Sequence, residues 1–236
     1  MPTPDKSSQN VEAMFNSIAS NYDFLNHFLS LGIDRKWRKR LIRLVAKGNP
    51  QKVLDVATGT ADLAILLARE YGGVSITGVD ISENMLAIGK RKVESENLSG
   101  QISLHRASAL NLPFENDSFD AAMVAFGVRN FEDLSMGLSE VYRILINGGQ
   151  FAILEFTIPD KFPVAQLYRF YFKHVLPLFG GIISGSRTAY KYLPESVLAF
   201  PEKENFLEIM RQVGFTGCTC KSLTFGIASI YTGFKP

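Results

Sequence analysis

From about residue 50 onward, short apolar runs alternate with amphipathic stretches, and the hydrophobic period switches each time. Residues 52–56, 75–79, 102–105, 119–126 and 150–156 are short and rich in apolar or β-branched side chains, the pattern of buried strands. Between them, residues 61–69, 83–94 and 133–145 place apolar side chains at helical spacing. Ser82 stands where it can cap the second of these helices. Strands alternating with helices at this spacing predict a parallel sheet with right-handed crossovers. Residues 11–47 read as helical with a break near Ser30 to Gly32, behind a polar segment of ten residues that should fray. The pattern changes after Pro159. Residues 160–200 are rich in Phe, Tyr and Leu without a strand signal, a helix is expected over 202–213, and residues 218–223 and 226–232 read as an antiparallel pair.

The first βαβ unit carries candidate chemistry. Val53-Leu54-Asp55-Val56-Ala57-Thr58-Gly59-Thr60-Ala61-Asp62 is a strand ending in an acid, a loop of small residues and a helix start. Gly78-Val79-Asp80 ends the next strand in a second acid. Ligands in such sheets bind at the carboxyl ends of the strands. A pyrophosphate site wants three glycines spaced G-x-G-x-x-G, and this window holds Gly59 alone. Asp55 and Asp62 would repel a phosphate and suit a cation, while Asp80 can accept two hydrogen bonds from a ribose diol. S-adenosylmethionine has the ammonium, sulfonium and ribose to match. The plainer alternative is a tight β-to-α turn without a ligand, with Asp62 favoured by the helix dipole. Five parallel strands closed by a C-terminal hairpin form an α/β, Rossmann-like, mostly parallel seven-stranded sheet, the layout of class I S-adenosylmethionine-dependent methyltransferases. The expected division is an N-terminal helical lid over residues 1–47 and a methyltransferase domain over 48–236, with a helical, aromatic insertion at about 160–200.

Composition narrows the classes. A chain of 236 residues fits one α/β domain with additions. Its net charge of +2 argues against a dedicated nucleic-acid binder. Cys218 and Cys220 are the only cysteines and share one face of a strand, which suits neither a zinc site nor a secreted disulfide framework. His27, His105 and His174 do not cluster, so no metal is expected. No signal-peptide layout opens the chain, and no stretch reaches membrane-spanning length. Residues 162–184 mix aromatics with Arg169, Lys173 and His174, and Arg35, Lys36, Arg38, Lys39, Arg40, Arg43 and Lys47 surround Trp37. The aromatic segment is open to two readings, the lining of a pocket for a long apolar tail or a dip into a bilayer surface, and the basic run to two others, a solvated helix face over core residues or contact with an anionic membrane surface.

Four segments carry a closer likeness. Tyr22-Asp23-Phe24-Leu25-Asn26 with Leu29-Ser30-Leu31-Gly32 and Arg35-Lys36-Trp37 comes first. Ala125-Phe126-Gly127-Val128-Arg129-Asn130 is the second, Tyr142-Arg143-Ile144-Leu145 with Gly148-Gly149 and Leu154-Glu155-Phe156 the third, and Tyr190-Lys191-Tyr192-Leu193-Pro194-Glu195-Ser196-Val197 the fourth. In this order they resemble the ubiquinone/menaquinone biosynthesis C-methyltransferases, over nearly the whole chain. Asp34 stands where that family usually has His, Ile146-Asn147 replaces Lys-Pro, and Ala125 replaces a Ser.

The resemblance implies roles. Thr60, Asp80, Ser108 and Ala109 take the family's S-adenosylmethionine positions, and Asp55 and Gly59 should frame the methionine end. Arg129 and Asn130 follow the fourth strand, where a guanidinium can stabilise a phenolate; Arg129 pairing with Glu132 or Asp133 is the structural alternative. Tyr22 and Asn26 would reach over the substrate from the lid. The implied reaction is C-methylation of a polyprenylated hydroquinone, demethylmenaquinol first, with a 2-polyprenyl-6-methoxy-benzoquinol as the alternative ring. A small-molecule O- or N-methyltransferase remains a rival. The expected setting is cytoplasmic, with peripheral contact at the inner membrane surface and a homo-oligomer both left open.

Overall fold

The computed structural model describes residues 5–23, 30, 32–160, 162–170 and 187–236. Its centre is one seven-stranded sheet: β1 (Lys52–Val56), β2 (Ser75–Asp80), β3 (Ile102–Arg106), β4 (Phe119–Ala125), β5 (Leu145–Phe156), β6 (Thr216–Leu223) and β7 (Ala228–Phe234), in the order β3-β2-β1-β4-β5-β7-β6. Strands β1 to β5 are parallel, and β7 runs antiparallel to both β5 and β6. The expected Rossmann-like sheet with its C-terminal hairpin is therefore present. The chain reverses its direction of travel across the sheet between β1 and β4, and a crevice opens at such a switch point.

Helices cover both faces. Helices α2 (Asp34–Ala46), α3 (Asp62–Glu70) and α4 (Glu83–Ser95) lie on one side; α5 (Leu134–Ile144) and α8 (Glu204–Val213) lie on the other. The strands serve both layers by strict alternation. Val53, Met123 and Leu154 pack under the first group, and Leu54, Val124 and Ile153 under the second. Helix α2 is anchored by Trp37, Leu41, Ile42 and Val45, all buried in the first layer. Each such side chain contributes about 1.5–3 kcal/mol of burial.

The remaining helices are α1 (Ser8–Ile18), α6 (Val164–Phe170) and α7 (Arg187–Leu198). Helix α1 begins inside the segment expected to fray, because Ser8 donates through its backbone N–H (2.9 Å) and hydroxyl (2.7 Å) to Glu132. A 3-10 turn, Ala19–Asn21, follows it. Leu145, expected as the last residue of its helix, instead opens β5. The strand then shifts register, pairing Phe119 with Leu145 but Ala121 with Gln150, so Gly148-Gly149 forms an irregularity inside a strand. Helix α8 starts at Glu204, two residues later than expected, because Lys203 has φ +54°.

Candidate active site

The loop after β1 is bent by three left-handed residues, Ala57 (φ +51°), Gly59 (+58°) and Ala61 (+65°); Phe126, just past β4, adds a fourth (+60°). Non-glycine residues in that region cost about 1–2 kcal/mol each, and such strain gathers at functional sites. Hydrogen bonds hold the bend. Thr58 donates its N–H to Val79 O (2.9 Å) and its hydroxyl to Asp55 Oδ2 (2.6 Å). Asp55 itself is buried beneath the loop, and burial pushes its carboxyl up to about 7, against the Thr58 hydrogen bond and the Arg38 charge. Asp80 accepts from the N–H of Gly59 (2.8 Å) through one oxygen and of Ser82 (2.9 Å) through the other. Burial also raises the Asp80 pKa, with those backbone donors opposing it.

A cleft of about 700 Å³, counting space open to solvent, lies over these strand ends. Gly59, Asp80, Ser108, Ala109, Asn130 and Tyr22 all line it. Its roof is α1. Beyond the Ser8–Glu132 contact, Glu12 pairs with Arg106 (2.7 Å), and Asn16 accepts from the Ser82 hydroxyl (2.6 Å). Phe15 meets Tyr22 edge-on, with ring centroids 5.9 Å apart. Met85 beneath them completes a small apolar cluster with Ile18 and Ala19.

Three expected residues turn elsewhere. Thr60 is buried and donates its hydroxyl to Asp23 (2.5 Å); Lys92 binds Asp23 (3.0 Å), Asp62 and the Thr60 oxygen (3.3 Å). The acid expected to face a cationic ligand, Asp62, is thus joined to Lys92 at the start of α3. The Ser108 hydroxyl accepts from Leu110 N–H (3.2 Å) and so closes its own turn.

Arg129 is 5% exposed and pairs with Glu155 (2.6 Å), a fully buried residue at the end of β5. Its expected alternatives, Glu132 and Asp133, are occupied: the first holds Ser8, and the second caps α5 through Met136 N–H. The same Arg129 nitrogen donates to Phe126 O (2.5 Å), and the guanidinium lies 5.5 Å from the centre of the Phe156 ring. Phe156 stacks on Phe126 (4.4 Å), and Arg38 sits 5.4 Å from the centre of the Phe126 ring. Arg129 Nε and Asn130 Oδ1 are buried without a protein partner among the described residues. Asn26 lies outside the described residues.

The structure therefore gathers Gly59, Asp80, Ser108, Ala109, Asn130 and Tyr22 at one cleft, sets Asp55 beneath its loop, and places Arg129 behind it against Glu155. Sequence reading gave Glu155 and Lys92 no role, and Glu132 only that of a partner for Arg129. Glu155 stands within a quoted family segment, but nothing local links it to a residue 26 positions earlier. Of the departures, Ala125 lines the cleft. Asp34 accepts from the Ser30 hydroxyl (2.7 Å) and pairs with Arg38 (3.5 Å). Ile146 and Asn147 line a different hollow with Lys47, Gly48 and Gln51, beside the start of β1 and away from the cleft.

A family model described as the ubiE/COQ5 methyltransferase family matches residues 3–235. A demethylmenaquinone methyltransferase of Bacteroides fragilis is 48% identical over 230 residues, covering 98% of this chain and 94% of the relative. A protein of Geotalea daltonii named ubiquinone/menaquinone biosynthesis C-methyltransferase UbiE is 46% identical, covering 96% and 97%. Among solved structures, a S-adenosylmethionine-dependent methyltransferase from Thermotoga maritima, described as a possible histamine N-methyltransferase, aligns with a TM-score of 0.67 at 18% identity over 95% of this chain and 99% of that one. That last likeness speaks for the fold.

Proposed function

We propose that this chain, which belongs to the ubiE/COQ5 methyltransferase family, methylates a ring carbon of a polyprenylated hydroquinone, with demethylmenaquinol as substrate and S-adenosylmethionine as donor. The observation that carries the reading is full-length likeness to relatives of that name, joined to a cleft at the β1/β4 switch point. Relatives named for both quinones match equally far along the chain, so the benzoquinol of ubiquinone synthesis stays the second reading.

The residues present fit S-adenosylmethionine. Asp80 accepts backbone donors on both oxygens and keeps further acceptor capacity for a ribose diol. Gly59 and the bent loop above Asp55 would suit the methionine end, and Ser108 and Ala109, which line the cleft after β3, would hold the adenine edge. Thr60 can take part only through its backbone, since its hydroxyl is engaged by Asp23. When bound, S-adenosylmethionine supplies an electrophilic methyl on a positively charged sulfur.

The chain must then position a ring carbon, make it electron-rich and exclude water. A ring carbon beside a phenolic oxygen gains nucleophilicity as that oxygen gives up its proton. Asn130 lines the cleft and can bind that oxygen; Arg129 behind it, with its charge shared with Glu155, favours the anion. Tyr22 and the α1 roof cover the site, and we assign residues 5–23 the lid function. Methylation replaces one ring hydrogen, and the displaced proton leaves to water. Quinone profiling by mass spectrometry in a deletion strain tests the reading. Accumulated demethylmenaquinone is expected, and an unchanged profile would remove it.

No helix among the described residues is long and apolar enough to cross a membrane. A polyprenyl substrate nevertheless resides in a bilayer. Arg35, Lys36, Lys39, Arg40 and Arg43 are exposed on α2, and Trp37 Nε1 donates to Thr224 (2.8 Å), which fixes the turn bearing the exposed Phe225 against that helix. Peripheral docking of this cationic, aromatic surface on anionic lipid is the partner reading we favour.

A further inference from the structure

The fourth family-like segment, 190–197, has no part in the site described so far. It lies on α7, and this helix packs against both α1 and the Val128–Asn130 turn. Tyr192 Oη is buried there without a protein partner among the described residues. The charged groups facing it are Arg129 from the turn, Glu155 from β5 and Asp5 from the N-terminal segment. Lys6, from the same segment, is in turn influenced by Glu155 and Arg129.

Three buried polar atoms in this region lack a protein partner among the described residues: Tyr192 Oη, Arg129 Nε and Asn130 Oδ1. Leaving such atoms unmatched is costly, and clusters of them are rare in folded proteins. Arg129 Nε–H can only donate, Asn130 Oδ1 can only accept, and the tyrosine hydroxyl can do either. Arg129 and Lys6 stand against the Glu155 and Asp5 carboxylates, so the charges around the Tyr192 hydroxyl balance and a ligand oxygen there is selected by its hydrogen bonds. A ligand oxygen that arrives as O–H and becomes O⁻ matches this set. Its proton can be offered to Asn130 Oδ1; once it is lost, the oxygen accepts from Arg129 and Tyr192.

We propose that Tyr192, Arg129 Nε and Asn130 Oδ1 together receive one oxygen of the quinol, with the Tyr192 hydroxyl donating to it as the phenolate forms. This rests on the quinol-methylation reading and assigns Tyr192 as a further catalytic residue for it. The tyrosine keeps its proton throughout; burial pushes its phenol up to about 12, so at neutral pH it is a donor and not a base.

The test is Tyr192→Phe in the full chain, assayed with a short-chain demethylmenaquinol. The proposal expects kcat to fall by ~10²-fold, in line with loss of one donor to a developing anion. The acid limb of the pH–rate profile should move up by about one unit, because the bound quinol ionises less readily. Affinity for S-adenosylhomocysteine and Tm should hold, since the hydroxyl has no partner to lose. A variant with kcat within about twofold of wild type and an unmoved profile overturns the proposal. If the variant folds poorly, a fluorinated tyrosine at position 192, a more acidic donor, should move the acid limb down, and an unmoved limb counts against the proposal. Wild-type protein that binds S-adenosylhomocysteine but never methylates the quinol would instead overturn the function reading, and this inference with it.

Discussion

Asp55 shows how much of a residue's setting lies outside its local sequence. Its position at the tip of β1 was legible, and so was its acidity; its enclosure beneath Thr58 was not, because burial depends on what folds over it. With a carboxyl raised from 3.8 to about 7, the folded chain holds more protons than the unfolded one between those values. The stability tied to this group is therefore complete below about pH 4 and is lost as pH rises toward 7, by up to about 4 kcal/mol before relaxation of the site. Asp55→Asn should flatten that decline and leave the variant more stable than wild type at pH 8. Urea unfolding at pH 5 and pH 8 measures it, and equal slopes for both proteins would refute it. Gly127 is a second residue-level test. A Cβ there would come within 2.7 Å of Ala57 Cβ, in the strained loop. Gly127→Ala should weaken S-adenosylhomocysteine binding by about tenfold or more in calorimetry, at an overpacking cost of ~1–3 kcal/mol. Binding unchanged from wild type would show that the loop does not frame the ligand.

Among the elements, β1, β4 and β5 are readable because burial on both faces leaves each a mostly apolar run, while β2 and the edge strand β3 bury their residues only in part. The end of α5 was misjudged because Leu145 is apolar and fits either period; only pairing with Phe119 decides for the strand. Helix α1 was underestimated for the opposite reason. Its anchors, Glu132, Arg106 and Ser82, lie far along the chain, so no local signal marks its start as ordered. Glu132 and Arg106 are exposed, and each of their contacts contributes ~1 kcal/mol or less. A Glu12→Ala, Glu132→Ala double variant should therefore keep its Tm within a few degrees. Amide exchange in α1 should quicken while β1 and β4 stay protected, and the quinol KM should rise severalfold. An unchanged KM with a loosened α1 would show that the roof does not shape the substrate site.

For the molecule as a whole, alternation of strands and helices was enough to specify the sheet, and four ordered segments were enough to specify the family. The pairing of Arg129 with Glu155 and the approach of α7 were hidden, since both join distant parts of the chain that no periodicity connects. The cationic face of α2 was visible as a run of charge, and its nearness to Phe225 was not. Flotation with anionic liposomes should carry the protein upward at low salt and release it as salt rises, and Arg35→Glu with Phe225→Ser should abolish it. Sedimentation of wild-type protein away from such vesicles at low salt would contradict peripheral docking. The central claim is methyl transfer to a quinol ring from the cleft between β1 and β4. Purified protein given deuterated-methyl S-adenosylmethionine and a demethylated menaquinol should yield a quinol carrying the label on its ring, read by tandem mass spectrometry. Label found on an oxygen, or on no product although S-adenosylhomocysteine binds, would contradict it.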